Sequence, residues 1–261
     1  MIVAGCDVGS LTAKAVIMND GEILASAVTR AGTRPKDSAE RVLDIALSMA
    51  GLSRADIGFA VGTGYGKDQI PFLNQSESEI SCHAKGAWWR MPSARMVIDI
   101  GGQDAKAIKM DENGAIVRYV YNDKCASGTG RFLEVMADAL GVALEDMGSL
   151  SEQSTEKLTI SNQCVIFAET EVVSLINERK KPQDIARALH KALASRVASL
   201  AKSIGVDQDI VMTGGVAKNS GVFKALSEGL DLPVKSLPDM DPQINGALGA
   251  ALMAGEKMKN G

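Results

Sequence analysis

Four cysteines are the residues of this sequence best suited to nucleophilic or metal chemistry, and two of them stand just before helical patterns. Cys125 lies in NDKCASGTGRF beside the basic residue Lys124, and Cys164 lies in ISNQCVIFAETEV. The first turn of a helix carries unpaired N–H groups and the positive end of the helix dipole, so a thiolate is favoured there. Cys125 could therefore be a nucleophile, a metal ligand or a small buried side chain.

The cysteine spacing limits the metal sites that one chain could form. No C-x-x-C pair occurs, and Cys6 and Cys82 lie in unrelated segments, so the chain offers no local zinc or iron–sulfur motif. A [4Fe–4S] cluster takes about four thiolates. Two cysteines per chain would be enough only if a two-fold axis presented each of them twice. From spacing alone, burial as free thiols stays the commoner alternative.

The composition excludes several other classes of function. The 261 residues, 46% hydrophobic and 23% charged, are typical of a soluble globular protein with one large domain or two modest ones. A net charge of −4 without a basic run argues against a nucleic-acid partner. No apolar run approaches the roughly 20 residues of a membrane helix, and no signal peptide is recognisable, so we expect a cytoplasmic location and reduced cysteines.

An internal repeat organises the chain. The segment CDVGSLTAKAVIMNDGEILASAV returns later as IDIGGQDAKAIKMDENGAIVRYV. The positions that match at one constant offset are Asp7 with Asp99, Gly9 with Gly101, Lys14 with Lys106, and Met18 with Met110. Each copy has three short runs separated by a Gly turn and by an NDG or ENG turn, which predicts three strands joined by two hairpins.

The segments outside the repeat alternate between strand and helix patterns. Strands are predicted at IGFAV, DIVMTGG and PVKSL. Helices are predicted at residues 36–49, 83–90, 130–140, 183–204, 218–229 and 245–257. Strands followed by helices, twice over, predict an α/β protein of two similar halves.

The Gly turns of the repeat have the chemistry of a phosphate site. Glycine lets backbone N–H groups approach an anion, and Ser10, Thr12 and Lys14 add donors. Asp7 and Asp99 would repel phosphate, so we expect them to hold Mg²⁺ through water, because that ion takes oxygen ligands. Two such hairpins facing each other across a cleft would bind a polyphosphate from both sides.

Two further Gly-rich segments differ in what they predict. MTGGVAKN follows a strand, so Gly214 and Gly215 lie where ligands bind in α/β sheets. GTGYGKD fits neither the P-loop nor the G-x-G-x-x-G spacing, and we predict a loop with a tight turn there.

The order of these motifs resembles the actin-like ATPase superfamily: DVGSLTAK its first phosphate motif, DIGGQD its second, and MTGGVAKN its adenosine motif. The resemblance implies two ribonuclease-H-like halves with a nucleotide cleft between them. We expect the first half at residues 1–93, joined by a C-terminal helix at about 245–261. The second half would cover residues 94–244 and carry the cluster cysteines.

Within that superfamily, the whole chain resembles the component-A type activators of 2-hydroxyacyl-CoA dehydratases, in the BadF/BadG/BcrA/BcrD ATPase family. The most specific segments are the cysteine-bearing ones, SCHAKGA, NDKCASGTGRFLEVMA and CVIFAETEV, and NGALGAAL also matches. The resemblance implies an ATP hydrolase coupled to electron transfer, and a homodimer. One [4Fe–4S] cluster would be bound by Cys125 and Cys164 of both copies. Ferredoxin or flavodoxin would donate the electron, and an iron–sulfur dehydratase or reductase would accept it.

The same resemblance assigns nucleotide contacts by position. Positions that match ATP contacts are Ser10, Leu11, Thr12, Ala13, Lys14, Gly102, Ala217 and Gln243, and the Gly turns add Gly101, Gly214 and Gly215. Asp104 and Gln103 are the candidates for positioning the attacking water, the amide as in other nucleotide hydrolases. The sequence does not choose between them.

Alternatives remain at this stage. A donor for a benzoyl-CoA reductase-type or other double-cubane enzyme would use the same machinery. A small-molecule kinase with structural cysteines would share the fold, and Asp104 could be its general base, although the chain is close to the minimal two-half core. An actin-like ATP sensor without redox function is a third alternative.

Overall fold

The computed structural model describes residues 1–122, 125–161 and 164–260. Its strands are β1 (Ile2–Val8), β2 (Thr12–Asn19), β3 (Glu22–Arg30), β4 (Phe59–Thr63), β5 (Gln75–Ser76), β6 (Met96–Ile100), β7 (Ala105–Met110), β8 (Ile116–Asn122), β9 (Ile210–Thr213) and β10 (Val234–Lys235). Its helices are α1 (Pro35–Ala50), α2 (Glu79–Arg90), α3 (Gly130–Leu140), α4 (Met147–Glu152), α5 (Val165–Asn177), α6 (Pro182–Lys202), α7 (Ser220–Leu230) and α8 (Asn245–Asn260). No helix among the described residues has the length and apolarity needed to cross a membrane.

Two five-stranded sheets repeat one strand order. The first runs β3-β2-β1-β4-β5 and the second runs β8-β7-β6-β9-β10. In both, the central strand pairs antiparallel with the hairpin partner (β2 or β7) and parallel with the strand on its other side (β4 or β9). The predicted α/β fold with two actin-like halves is confirmed, because the sequence repeat corresponds to a repeat of topology.

The described residues divide into two compact units. The first contains Met1–Ala94, Met110–Ile116 and the chain from Leu237 onward, which includes α8. The second contains Arg95–Lys109 and Val117–Ser236, and it carries both candidate cluster cysteines.

The first sheet is buried on both faces, which explains the apolar run in β2. Ala15 and Ile17 point into the core shared with α1, whereas Val16 and Met18 point into the core shared with α8. Successive strand residues face opposite sides, so a strand covered on both faces has no polar alternation. Helix α8 also approaches closely: a Cβ on Gly5 would lie 1.9 Å from the Ala247 carbonyl oxygen.

The second unit has one continuous core. Helices α3 and α5 pack against each other and against α6. Their buried side chains include Phe132, Leu133, Ala168, Val172, Leu189 and Leu193, which share the core with Ile98 and Met212 of the sheet. The helices that follow the two candidate cysteines are therefore anchored in the same rigid core.

Several element boundaries differ from the prediction for local reasons. Helix α2 begins at Glu79 rather than residue 83, because the Ser78 hydroxyl caps it by accepting from the Ser81 N–H. Helix α7 begins at Ser220 rather than residue 218, because the Asn219 side chain caps it and a 3₁₀ turn precedes it. The segment PVKSL forms only the two-residue strand β10, and the short helix α4 was not predicted.

Candidate functional site

The hairpin of β1 and β2 places a carboxylate beside an ammonium group. Asp7 pairs across the strands with Lys14, and Lys14 Nζ lies 3.2 Å from Asp7 Oδ2. The Gly9 N–H donates to the Thr12 carbonyl at 3.0 Å and closes the turn. The predicted contact residues on this hairpin are Ser10, Leu11, Thr12, Ala13 and Lys14. Ser10 is exposed whereas Ala13 is buried, so the hydroxyl is available to a ligand and the methyl group is not.

The turn between β6 and β7 repeats this geometry with one addition. Asp99 pairs across the strands with Lys106, whose Nζ lies 3.6 Å from Asp99 Oδ2 and also forms an ion pair with Asp104. The Gly101 N–H donates to the Asp104 carbonyl at 2.9 Å, as Gly9 does to Thr12. Gly102 and the exposed Gln103 complete the turn. Asp104 is therefore oriented by a buried ammonium group, whereas Gln103 points toward solvent.

Two threonines that the sequence analysis did not select stand beside the aspartates. Thr63 ends β4 next to Asp7, and Thr213 ends β9 next to Asp99. The Thr213 hydroxyl donates to Asp99 Oδ1 at 2.8 Å, whereas the Thr63 hydroxyl donates to the Glu77 carbonyl at 3.2 Å. The signal was present in the sequence, because AVGTG and VMTGG both end a strand with Thr-Gly.

The glycine after each threonine lets the backbone pass over the carboxylate. Gly64 and Gly214 have φ values of 91° and 86°. A Cβ on Gly64 would lie 2.5 Å from Asp7 Oδ1, and one on Gly214 would lie 3.0 Å from Asp99 Oδ1. The backbone at both positions is left-handed and lies close to the aspartate oxygens, so only glycine fits there. The segment GTGYGKD thus makes the predicted tight turn, and that turn lies over Asp7.

The remaining predicted nucleotide contacts lie in two different units. Gly214, Gly215 and Ala217 lie at the end of β9 and in the 3₁₀ turn Gly215–Lys218 of the second unit. That turn is followed by Asn219, whose amide lies 3.2 Å from Nε2 of the buried His190 on α6. Gln243 belongs to the first unit, in a 3₁₀ turn capped by Asp241.

The four cysteines separate into two classes by burial. Cys6 and Cys82 are 1% and 0% exposed, so both are core side chains. Burial raises the pKa of the Cys6 thiol, and it raises the pKa of the Cys82 thiol to about 12, so neither is a thiolate at neutral pH. Cys125 is half-buried and Cys164 is exposed. Of the four thiols, Cys125 and Cys164 are the two that solvent can reach.

The loop before α3 supports a thiolate at Cys125. The residue lies five positions before the helix, and its Sγ is 3.0 Å from the buried Ser127 hydroxyl. The Ser127 hydroxyl lowers the pKa of the Cys125 thiol, and the Arg196 guanidinium lowers it further. Lys124, expected from the sequence to favour this thiolate, lies outside the described residues.

Cys164 occupies the N-cap position of α5, closer to a helix end than Cys125. The chain before it is tied back to that helix, because the Ser161 N–H and hydroxyl both donate to the Glu171 carboxylate, at 3.0 Å to Oε1. Among residues 1–122, 125–161 and 164–260, no group of three or more metal-ligating side chains occurs. Two accessible thiols per chain are half the number of ligands that a [4Fe–4S] cluster takes.

The second hairpin turn is hydrogen-bonded to the helix that follows Cys125. The first two N–H groups of α3, from Gly130 and Arg131, donate to the carbonyls of Gly101 and Gly102, each at 2.8 Å. A helix N-terminus leaves its first N–H groups without intrahelical partners, and here they bond to the predicted phosphate turn. Two hydrogen bonds thus join the second hairpin turn to the start of α3.

Comparisons with known proteins agree with this arrangement. Residues 4–254 match the BadF/BadG/BcrA/BcrD ATPase family. The activator of lactoyl-CoA dehydratase from Anaerotignum propionicum is 48% identical over 98% of both chains. The crystal structure of component A of the Acidaminococcus fermentans (R)-2-hydroxyglutaryl-CoA dehydratase superposes with a TM-score of 0.95, at 43% identity over 99% of both chains.

A second solved structure includes a nucleotide. The activator of the 2-hydroxyisocaproyl-CoA dehydratase from Clostridium difficile, with bound ADPNP, has a TM-score of 0.95 and 44% identity to this chain, covering 100% of it and 96% of the activator. The family resemblance and the prediction of an ATP-hydrolysing enzyme are thereby confirmed. The chain belongs to the BadF/BadG/BcrA/BcrD ATPase family.

Proposed function

We propose that this protein is an ATP-dependent electron-transfer activator of a 2-hydroxyacyl-CoA dehydratase. A homodimer in the cytoplasm would take an electron from ferredoxin or flavodoxin. Cys125 and Cys164 of both copies would bind one [4Fe–4S] cluster, which when bound supplies one-electron transfer at low potential. The activator function is supported by the family match, and the observation that carries its coupling to ATP is the pair of hydrogen bonds from Gly130 and Arg131 to the carbonyls of Gly101 and Gly102.

The two hairpin turns supply the proposed phosphate contacts. On the first, the exposed Ser10 and the ammonium group of Lys14 are donors. Asp7 and Asp99 would hold Mg²⁺ through water, since carboxylates are the oxygen ligands that this ion prefers. Asp99 is also fixed by Thr213 at 2.8 Å, so its carboxylate is preorganised. Asp104 and Gln103 of the second turn are both within the segment that would orient the attacking water.

Nucleotide binding would be coupled to the cysteine thiolates through the hydrogen bonds that join the second hairpin turn to α3. A ligand does work on a protein only if it binds one conformation more tightly than another. A γ-phosphate at Gly101 and Gly102 would shift this turn, and the Gly130 and Arg131 N–H groups are bonded to its carbonyls. The shift would reach the loop that holds Cys125 and change the solvent exposure and hydrogen bonding of its sulfur. Both properties help to set the reduction potential of an iron–sulfur cluster.

The family evidence favours a dehydratase as the acceptor. The similar proteins from Anaerotignum, Acidaminococcus and Clostridium are named for three different 2-hydroxyacyl-CoA dehydratases. The benzoyl-CoA reductase-type acceptor stays an alternative, because the donor's own machinery would be the same. A kinase with structural cysteines is disfavoured by the two accessible thiols, since structural cysteines would be buried like Cys6 and Cys82.

Native mass spectrometry of the protein purified without oxygen tests this proposal. We expect a dimer that carries one [4Fe–4S] cluster, and therefore about two irons per chain. An iron-free protein under these conditions would contradict the redox function and would leave an ATPase without a cluster. A cluster on a monomer would contradict only the shared site.

A further inference from the structure

A cavity of about 260 Å³ lies beside the two cysteine-bearing loops of the second unit. Its lining includes Ser127, two residues after Cys125, and Ser161, three residues before Cys164. Helix α6 forms one wall and contributes two cationic side chains, Lys191 and Arg196. The loops that carry the accessible thiols are thus backed by one helix with two positive charges.

Arg196 is the cation of α6 that packs against the Cys125 loop. A Cβ on Gly128 would lie 3.3 Å from Cγ and 3.6 Å from Cβ of Arg196, and Gly128 adopts a φ of 101°. The loop can follow the arginine stem this closely because position 128 has no side chain. The stem therefore crosses the loop three residues after Cys125.

We propose that Arg196, with the Ser127 hydroxyl, is a positioning residue that donates to the Cys125 sulfur and sets the reduction potential of the cluster bound there. This inference rests on the proposed function, because it assumes a cluster at Cys125. The guanidinium is planar, charged at all physiological pH values and able to donate several hydrogen bonds. The Arg196 stem packs on Gly128, and Ser127 and Arg196 line the same cavity, so this cation belongs to the loop that holds Cys125.

The two thiolates of each chain therefore differ in the hydrogen-bond donors around them. Cys125 has a buried hydroxyl at 3.0 Å and lies in a loop on which the Arg196 stem packs, whereas Cys164 is exposed at a helix N-cap. Donation to a thiolate stabilises the extra electron density of the reduced state. Arg196 should therefore make the cluster easier to reduce, and its loss should make the potential more negative.

The test compares Arg196→Gln and Arg196→Lys with Lys191→Gln, which removes a charge from the same helix and the same cavity. In the apo protein, iodoacetamide labelling resolved by peptide mass measures the thiolate at each cysteine. We expect Arg196→Gln to slow the labelling of Cys125 about tenfold. The labelling of Cys164 should stay unchanged and serves as the internal control for folding. Arg196→Lys should recover part of the rate, and Lys191→Gln should match the wild type.

In the holoprotein, the same variants are titrated under EPR detection. We expect Arg196→Gln to shift the ratio of reduced to oxidised cluster about tenfold, which for one electron is about 59 mV more negative. Wild-type values of labelling and potential in Arg196→Gln would overturn the inference. A wild-type protein without any cluster would instead contradict the proposed function, and the labelling of Cys125 would then decide the role of Arg196 alone.

Discussion

Replacement of Cys125 or Cys164 by serine is expected to remove the iron from the protein purified without oxygen, from about two irons per chain to almost none. A hydroxyl is a poor substitute for a thiolate, and a dimer would lose two of four ligands with each single substitution. ATP-dependent electron transfer should disappear together with the iron. Iron analysis, visible absorption and the electron-transfer rate measure the three effects.

Cys82→Ala is the matched control for these variants. Cys82 is fully buried, and burial raises the pKa of its thiol to about 12. We expect this variant to keep its iron and to lose only about 1–2 kcal/mol of stability from the small cavity. Full iron content in Cys125→Ser, or its loss in Cys82→Ala, would contradict the assignment of the ligands.

Lys106→Met is the second substitution with a large expected effect. The Lys106 ammonium group is 7% exposed and forms ion pairs with Asp99 and Asp104. Removing it leaves two neighbouring carboxylates, one of them buried, without their cation. We expect a loss of about 3–5 kcal/mol in the free energy of unfolding. ATP hydrolysis should fall about 100-fold or more, because a preorganised cation near the reacting phosphate is lost. Urea unfolding and steady-state hydrolysis at low temperature measure these effects.

Lys109→Met is the control on the same strand. Lys109 forms a more exposed ion pair with Asp207, at 3.0 Å, so its loss should cost at most about 1 kcal/mol and leave hydrolysis unchanged. Asp104→Asn separates chemistry from folding, because Lys106 keeps Asp99 as a partner. We expect its stability to change little while hydrolysis falls. Equal effects of Lys106→Met and Lys109→Met would contradict a special role for the second hairpin.

The sequence was most informative where one interaction is local. The pairing of Asp7 with Lys14 and of Asp99 with Lys106 spans one hairpin, so matched spacing in the two copies predicted both the strands and the turns. The α/β fold followed from the same repeat. Helix starts such as Glu79 were missed because a single capping hydroxyl, from Ser78, decides them.

Residues that act over long sequence separations could not be predicted in this way. Thr213 donates to Asp99, which is more than a hundred residues earlier, and Arg196 reaches the loop of Cys125 from a different helix. The difference in burial between Cys82 and Cys125 also could not be predicted, because it depends on how the chain folds. Cys82 precedes His83 in a segment with no distinguishing composition, and only the packing of α2 shows that its thiol is buried.

The most direct test of the account is the rate at which an iron chelator removes the cluster from the reduced protein, measured with Mg-ATP, with Mg-ADP and without nucleotide. The central claim is that ATP at the hairpin turns changes the environment of the Cys125 thiolate through Gly130 and Arg131. We predict that ATP changes the chelation rate at least about fivefold relative to ADP, the lower end of typical coupling between two sites. If the effect on the cluster requires hydrolysis, Asp104→Asn should abolish the difference in chelation rate between ATP and ADP. If ATP binding is sufficient, this variant should keep the difference. Equal rates with ATP, with ADP and without nucleotide would contradict the claim.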